Sequence, residues 1–370
     1  TNAIKEFPDV GAYYRDRQVA YRDRGEYELA LSDADRSVDL ANEDPDVYLS
    51  RAHTYLAKQE FEKDALTDIK KSLELSTDKA SVLWQIPVDE VANCSDQSFK
   101  DGLAAIADRA IENNDTVSLR VARANLLGAM QFDERAEADF KIALKSASDE
   151  DDVHAYYLKF LVKRERWHDA LIVIEELNTL APSEYYPCYQ AALLNLYLGG
   201  VGKYRIFCER MLSAPYSDVS KGNELEIHFT AWTCTLAPDA LDNYDPAISL
   251  AREAVDKQPS NQQYLNGLGT ILMRAGRYEE AQEQLEKALE AGETDSTSSS
   301  YIHYFLAMTR QALGDTKEAQ SQLRKANEVA ESELSDSPAW NRRLTLQLLR
   351  KDAESQITPL QNDADAKSKE

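Results

Sequence analysis

A local pattern returns along this chain at intervals of 33 to 40 residues. Its anchors are Tyr27, Phe61, Phe99, Phe132, Trp167, Tyr204, Tyr244, Tyr278 and Thr316. The clearest copies read Gly25-Glu26-Tyr27 with Ala30, Gly276-Arg277-Tyr278 with Ala281, and Gly314-Asp315-Thr316 with Ala319. A period of about 34 suits a helix–turn–helix unit that cannot bury its apolar face alone, so that neighbours stack into a solenoid. The chain is expected to be all-α: a right-handed α–α superhelix of about nine such units, closed by a C-terminal capping helix. Glycine (13) and proline (11) are scarce, which suits long helices joined by short turns.

The units divide as follows. Residues 1–10 are a linker, and 11–182 hold units one to five, with unit three (79–114) degenerate because Pro87 breaks its first helix. Residues 183–331 hold units six to nine, 338–357 the capping helix and 358–370 a polar tail expected to be disordered. The segments from Phe61 to Ala65 and from Phe132 to Ala136 carry one residue more than that from Tyr27 to Ala30, which reads as an insertion. The cluster Ser296 to Ser300 reads as a loop. Along the capping helix, Leu344, Leu348 and Leu349 share one side, with charges opposite.

Net charge is −23, from 42 basic and 65 acidic residues, which repels phosphate backbones and anionic lipid and argues against nucleic-acid binding. No apolar run reaches the ~18 residues of a membrane span, so membrane insertion is not expected. Cys94, Cys188, Cys208 and Cys234 form no Cys-x-x-Cys pair and read as small apolar groups in helix packing, which fits a reducing compartment. The expectation is a cytoplasmic protein, or a periplasmic one if a signal segment was removed. Thr1 stands where methionine would begin a complete chain, as in a processed product or a piece of a longer protein.

No catalytic constellation emerges. None of the five histidines has another at i+3 or i+4, so no metal is expected. The acidic run from Asp149 to Asp152 lacks the alternation and central glycine of a calcium loop. Gly267-x-Gly269 follows no strand and reads as a close helix contact rather than a dinucleotide fingerprint. The chain is thus expected to be no enzyme and to bind no cofactor.

The repeat positions resemble the tetratricopeptide repeat, most clearly in units one, eight and nine. A narrower resemblance covers 183–357. It rests on Tyr204-Arg205 with Cys208 and Met211-Leu212, on Trp232-x-Cys234-x-Leu236-Ala237-Pro238, and on Tyr264-Leu265-Asn266 with Gly269. Phe305-Leu306-Ala307-Met308 and Trp340-Asn341-Arg342-Arg343 extend it. These segments resemble the C-terminal repeat region of large bacterial, especially planctomycete, proteins in which the repeats often follow a serine/threonine kinase domain. No glycine-rich phosphate loop, His-Arg-Asp or Asp-Phe-Gly motif occurs here. The resemblance therefore implies a docking or regulatory appendage, with a stand-alone adaptor, or one exported to the cell envelope, as the alternatives.

In that template the first helix of each unit lines a concave face suited to a protein or peptide partner. The inward positions are Arg15, Val19 and Arg22 in unit one, and Asp46, Leu49 and His53 in unit two. In unit eight they are Asn266, Thr270 and Met273, and in unit nine Tyr301, Tyr304, Phe305 and Met308. The last set is an aromatic–methionine stripe. It can anchor a peptide or be covered by the helix at 338–357. The lysine and asparagine pair with which some family members grip a C-terminal carboxylate is absent: Arg15, Val19 and Ser50 stand there instead.

Overall fold

The computed structural model describes residues 2–59, 62–112, 114–147, 151–213, 224–292 and 298–357. Phe61, residues 149–150 of the acidic run, residues 296–297 of the serine cluster and the tail 358–370 lie outside them. The described residues are helical throughout, with no strand among them.

A short helix, α1 (Asn2–Glu6), occupies part of the expected linker. Hairpins follow: α2 (Gly11–Arg22) with α3 (Tyr27–Leu40), then α4 (Pro45–Lys58) with α5 (Glu62–Leu75). In the third, the first limb is broken into α6 (Lys79–Gln85) and α7 (Val88–Asn93), with Pro87 between them, before α8 (Gln97–Glu112). Next come α9 (Val117–Ala129) with α10 (Asp133–Ser146), and α11 (Asp151–Lys163) followed by α12 (Trp167–Leu180). Then α13 (Tyr185–Tyr197) pairs with α14 (Val201–Met211), and α15 (Glu224–Thr233) with α16 (Asp245–Lys257). The last two hairpins are α17 (Gln262–Arg274) with α18 (Tyr278–Glu290), and α19 (Ser299–Ala312) with α20 (Thr316–Ser335). A single helix, α21 (Trp340–Gln356), ends the described chain. The chain forms two compact units, 1–160 and 161–370.

The turns explain the period. Six first limbs end in a residue of positive φ, which lets the chain reverse: Gly25 (74°), Gln131 (67°), Glu165 (56°), Gly199 (83°), Gly276 (75°) and Gly314 (86°). Counting from that residue, a fully buried small or aromatic side chain stands five places on, at Ala30, Ala136, Ala170, Tyr204, Ala281 and Ala319. The supposed insertion after Phe132 is therefore none. Phe132 sits one place nearer the turn than Tyr27 does, and Ala136 keeps its register. After Gln59 (φ 57°) the buried Ala65 comes six places on, so the extra residue there is real. Gln59, Gln131 and Glu165 carry side chains where glycine is easier, which is why the Gly-x-aromatic signature fades in those copies.

Helix starts are fixed by side chains that take up free N–H groups. The Asp44 carboxylate accepts from Asp46 N at 2.9 Å with Pro45 in the first turn, and Asn261 accepts from Gln263 N and Tyr264 N at 3.0 and 3.3 Å. In 1–160 a second device recurs. Arg17 of α2 forks onto Asp33 of α3 at 2.6 and 2.7 Å, and Arg51 of α4 onto Asp68 of α5 at 2.8 and 2.9 Å. Arg123 of α9 forks onto Asp139 of α10 at 2.7 and 2.6 Å. Each carboxylate is buried, so each fork ties the two limbs of one hairpin with a bidentate ion pair.

In 161–370 the first limbs α13, α15, α17 and α19 lie side by side. Two glycines allow the close approach. A methyl group on Gly269 would stand 2.6 Å from Leu285 Cγ of α18, and one on Gly267 2.7 Å from His228 Nδ1 of α15. Gly267-x-Gly269 is thus a helix contact on both sides. The terminal α21 packs on α19 and α20, and it also reaches α13 at the other end of the row. Leu344, Leu346, Leu349 and Ala353 are its buried apolar residues, while Leu348 is half-buried.

Candidate partner-binding recess

The row of first limbs in 161–370 is unusually aromatic, and α21 covers only part of it. The helix is held at both ends. At its start, Trp340 lies 6.2 Å from Trp167, Arg343 stacks 5.4 Å over the Trp167 ring, and Arg343 pairs with Glu165 at 2.8 Å. Towards its end, Asp352 takes a hydrogen bond from Arg274 of α17 at 2.7 Å. The Arg274 side chain is only 3% exposed; its Nε donates to the Thr235 carbonyl at 2.8 Å and its guanidinium lies 5.2 Å over Phe305. Beyond that, Gln356 Nε2 donates to Met308 Sδ at 3.3 Å.

This covering sorts the residues picked out from the sequence. Tyr304, Phe305 and Met308 are all but fully buried, and the Tyr304 hydroxyl donates to Asn327 Oδ1 at 2.8 Å. Burial pushes the Tyr304 hydroxyl upward. Met273 is buried in the core of α17. Asn266 and Tyr301, by contrast, meet at an open recess between the row and the start of α21. In 1–160, Arg15 is tied to Asp46 and Asp44 at 3.3 and 3.6 Å. Arg22 stands near His53, which burial first and Arg22 second push down to about 4.

The recess encloses about 360 Å³. Its walls are Tyr186 and Tyr189 of α13, His228, Phe229 and Trp232 of α15, and Tyr301 of α19. The rings form one chain of contacts. Tyr189 lies 5.1 Å from Phe229, Tyr186 meets Phe229 edge-on at 6.1 Å, and Trp232 lies 5.4 Å from Tyr301. His228 stacks 6.2 Å from Trp232, and desolvation alone pushes it down to about 3, so it is a neutral wall at physiological pH. The hydroxyls of Tyr186 and Tyr189 face Gln190 and Asn341. Asn266 is 1% exposed, and its Oδ1 has no hydrogen-bond partner. Among the described residues no carboxylate lines the recess, and Arg342, which pairs with Glu333 at 4.0 Å, is the charged residue that does. Tyr186 remains 39% exposed at the mouth.

A buried acceptor without a donor costs ~1–3 kcal/mol, whereas aromatic walls gain from covering apolar area and from ring–ring contact. The recess would therefore be stabilised by a flat apolar group seated against its rings.

The sequence signal for the missed residues was present. Tyr186 and Tyr189 are three apart, His228 and Trp232 four apart, on the first limbs of units six and seven, so each pair shares a helix face. Reading inward positions from units one, two, eight and nine alone passed over them.

Residues 260–332 match the tetratricopeptide repeat. The match spans α17 to α20, and hairpins of the same build recur along the rest of the described chain. No curated protein matches the chain. Among solved structures it is similar to a tetratricopeptide repeat protein from Parabacteroides merdae, at 13% identity over 73% of this chain and 98% of that one, with a TM-score of 0.43. It is also similar to yeast Tom70, at 16% identity over 99% and 93% of the two chains, TM-score 0.31. A third is MamA of Desulfovibrio magneticus, at 16% identity over 49% and 95%, TM-score 0.33.

Proposed function

We propose that this chain is a protein-interaction module that holds a segment of a partner polypeptide at the aromatic recess of 161–370. One observation carries the reading: six ring side chains from three helices surround an open cavity of about 360 Å³. Aromatic residues in a desolvated pocket are the usual anchors of protein contacts. The reading is also supported by the repeat architecture, which presents successive first limbs as one continuous surface. A proton-transfer role for the recess is disfavoured, because a histidine held down near 3 is too weak a base to serve at neutral pH.

The test is capture of partners from the source cell with the chain and with Tyr186→Ala. Tyr186 is exposed at the mouth, so folding is expected to survive its loss. Partners held by the chain and lost from the variant support the reading. Equal capture by both, with Ile206→Ala on α14 as the control for a distant exposed residue, contradicts it.

Placed behind a kinase domain, as the resemblance of 183–357 implies, the recess would hold a substrate or regulator of that kinase. A kinase domain encoded upstream of Thr1 supports this arrangement; a reading frame without one contradicts it.

A further inference from the structure

We infer that the side chain the recess takes is an arginine of the partner segment, its flat guanidinium laid on the rings and its charge met by Glu184 beside the mouth. The inference rests on the proposed function and adds the chemistry of the occupant.

The rings alone would accept any flat group, and the charge around the mouth decides among them. Tyr185, the neighbour of Tyr186 on α13, lies 6.2 Å from the Tyr186 ring and 5.5 Å from Phe229, so it borders the recess on the α13–α15 side. Two carboxylates stand close to it. Burial first, then Glu226, Tyr186 and Glu184, push the Tyr185 hydroxyl upward; burial first, then Glu184, push the Glu226 carboxyl upward. Two like charges held near one another favour a cation beside them. Glu184 is exposed and forms no ion pair among the described residues. On the α21 side, Arg342 is balanced by Glu333 at 4.0 Å, and His228 is neutral, so the lining itself does not repel a cation. The net charge of −23 draws one from further away.

The protein's own arginines show the same pairing of ring and acid. Arg343 lies 5.4 Å over the Trp167 ring while pairing with Glu165 at 2.8 Å, and Arg274 lies 5.2 Å over Phe305 while pairing with Asp352 at 2.7 Å. Arg17 lies 5.7 Å over Tyr21 with Asp33 at 2.6 Å, and Arg135 lies 5.5 Å over Phe132 with Asp108 at 2.7 Å. Each guanidinium thus has a ring on its face and a carboxylate at its edge. At the recess Tyr186 and Phe229 meet edge-on at 6.1 Å with Glu184 beside them, and the arginine is left for the partner to bring. Lysine fits less well, because its ammonium is compact and strongly hydrated, whereas a guanidinium is planar and sheds water more readily. An indole or phenol would cover the rings but leave Glu184 and Glu226 repelling one another as before. The cavity of about 360 Å³ has room for one arginine side chain with its backbone at the mouth beside Tyr186.

The experiment titrates the whole chain with N-acetyl-argininamide, read by saturation-transfer NMR, which detects weak binding. Parallel titrations use N-acetyl-citrullinamide, which keeps the flat shape and loses the charge, together with N-acetyl-lysinamide, N-acetyl-tryptophanamide and free arginine. The expected result is binding of the arginine probe, with the citrulline probe weaker by about tenfold or more, because the attraction to the rings and the pairing with Glu184 are both lost. In Glu184→Gln the arginine probe should weaken about threefold while the citrulline probe is unchanged, and in Tyr186→Ala both should weaken. Both residues are exposed, so the variants are expected to fold, and the citrulline comparison needs no variant. Equal binding of the arginine and citrulline probes overturns the cationic occupant, and an unchanged arginine affinity in Glu184→Gln overturns the counter-charge. Tighter binding of the lysine probe overturns the guanidinium, and tighter binding of the tryptophan probe overturns the charged occupant. Tighter binding of free arginine than of its blocked amide overturns the polypeptide source. No binding of N-acetyl-argininamide overturns the inference outright. If that happens while Tyr186→Ala still loses its partners, the proposed function stands and only the occupant is wrong. If the probe binds but capture ignores Tyr186, the reverse holds.

Discussion

Replacing Asp352 by alanine should release α21 from the row of first limbs. The carboxylate is the charged partner of Arg274, whose side chain is 3% exposed against 14% for Asp352. Two unit charges about 4 Å apart at an effective dielectric constant of ~20 attract by about 4 kcal/mol. Without Asp352 the guanidinium keeps the Thr235 carbonyl and the face of Phe305 but loses its counter-charge. Breaking one side of a buried pair costs ~3–5 kcal/mol, because the remaining charge stays desolvated. We expect about 3 kcal/mol here, as the newly opened site lets water reach Arg274 from the α21 side. Amide hydrogen exchange followed by mass spectrometry reads this directly. Protection across 340–356 should fall about 100-fold in Asp352→Ala, with α2 to α5 as the unchanged reference. The double replacement Arg274→Met with Asp352→Ala should recover part of the loss, since no bare charge is then left. A fall of less than threefold in Asp352→Ala would refute the latch.

Other consequences can be checked separately. His228 has a folded pKa near 3 against 6.5 when free, so below pH 6.5 the unfolded chain binds a proton that the folded chain does not. Stability should fall by up to ~1.4 kcal/mol per pH unit as pH drops from 6.5 towards 3, and His228→Phe should flatten that slope in urea titrations at pH 7, 6 and 5. Native Cys188, Cys208 and Cys234 are buried; burial pushes the Cys188 thiol up to about 11, and contact with Cys208 together with burial pushes Cys234 well up. A disulfide reagent should therefore react at once with the half-buried Cys94 alone, and with four thiols after denaturation. Gly269→Ala places a methyl 2.6 Å from Leu285 Cγ and 3.1 Å from its backbone nitrogen. The clash of ~1–3 kcal/mol should outweigh the ~1 kcal/mol gained in helix propensity, lowering the melting temperature.

Much of the fold was legible because the period is a backbone property. A turn residue, a small side chain five places on and a capping residue before the next first limb are local features, and each leaves a mark in the sequence. Where the mark weakened, as at Gln131 and Glu165, a left-handed turn persisted without glycine, and the aromatic anchor proved a poorer guide to register than the buried alanine. The Arg17–Asp33, Arg51–Asp68 and Arg123–Asp139 forks recur at spacings of 16 or 17 residues, yet in a chain this rich in charge no pair stands out until the limbs are folded together. Cys208 and Cys234, far apart in sequence, meet for the same reason: Cys234 Sγ lies 3.9 Å from the Cys208 carbonyl, and Cys208 Sγ 3.7 Å from the Thr233 carbonyl. The site was half legible. Asn266 and Tyr301 follow from the repeat template, but the path of α21 depends on Arg274, Asp352, Trp167 and Arg343, residues from distant repeats. That path decides which aromatic residues are core and which face a cavity.

The most direct measurement places a photoreactive benzoylphenylalanine at position 186 in the source cell and, separately, at position 206 on α14. Irradiation should join the chain to a second polypeptide from position 186 and not from 206. Equal adducts from both positions, or none from 186, would contradict a partner site at the recess.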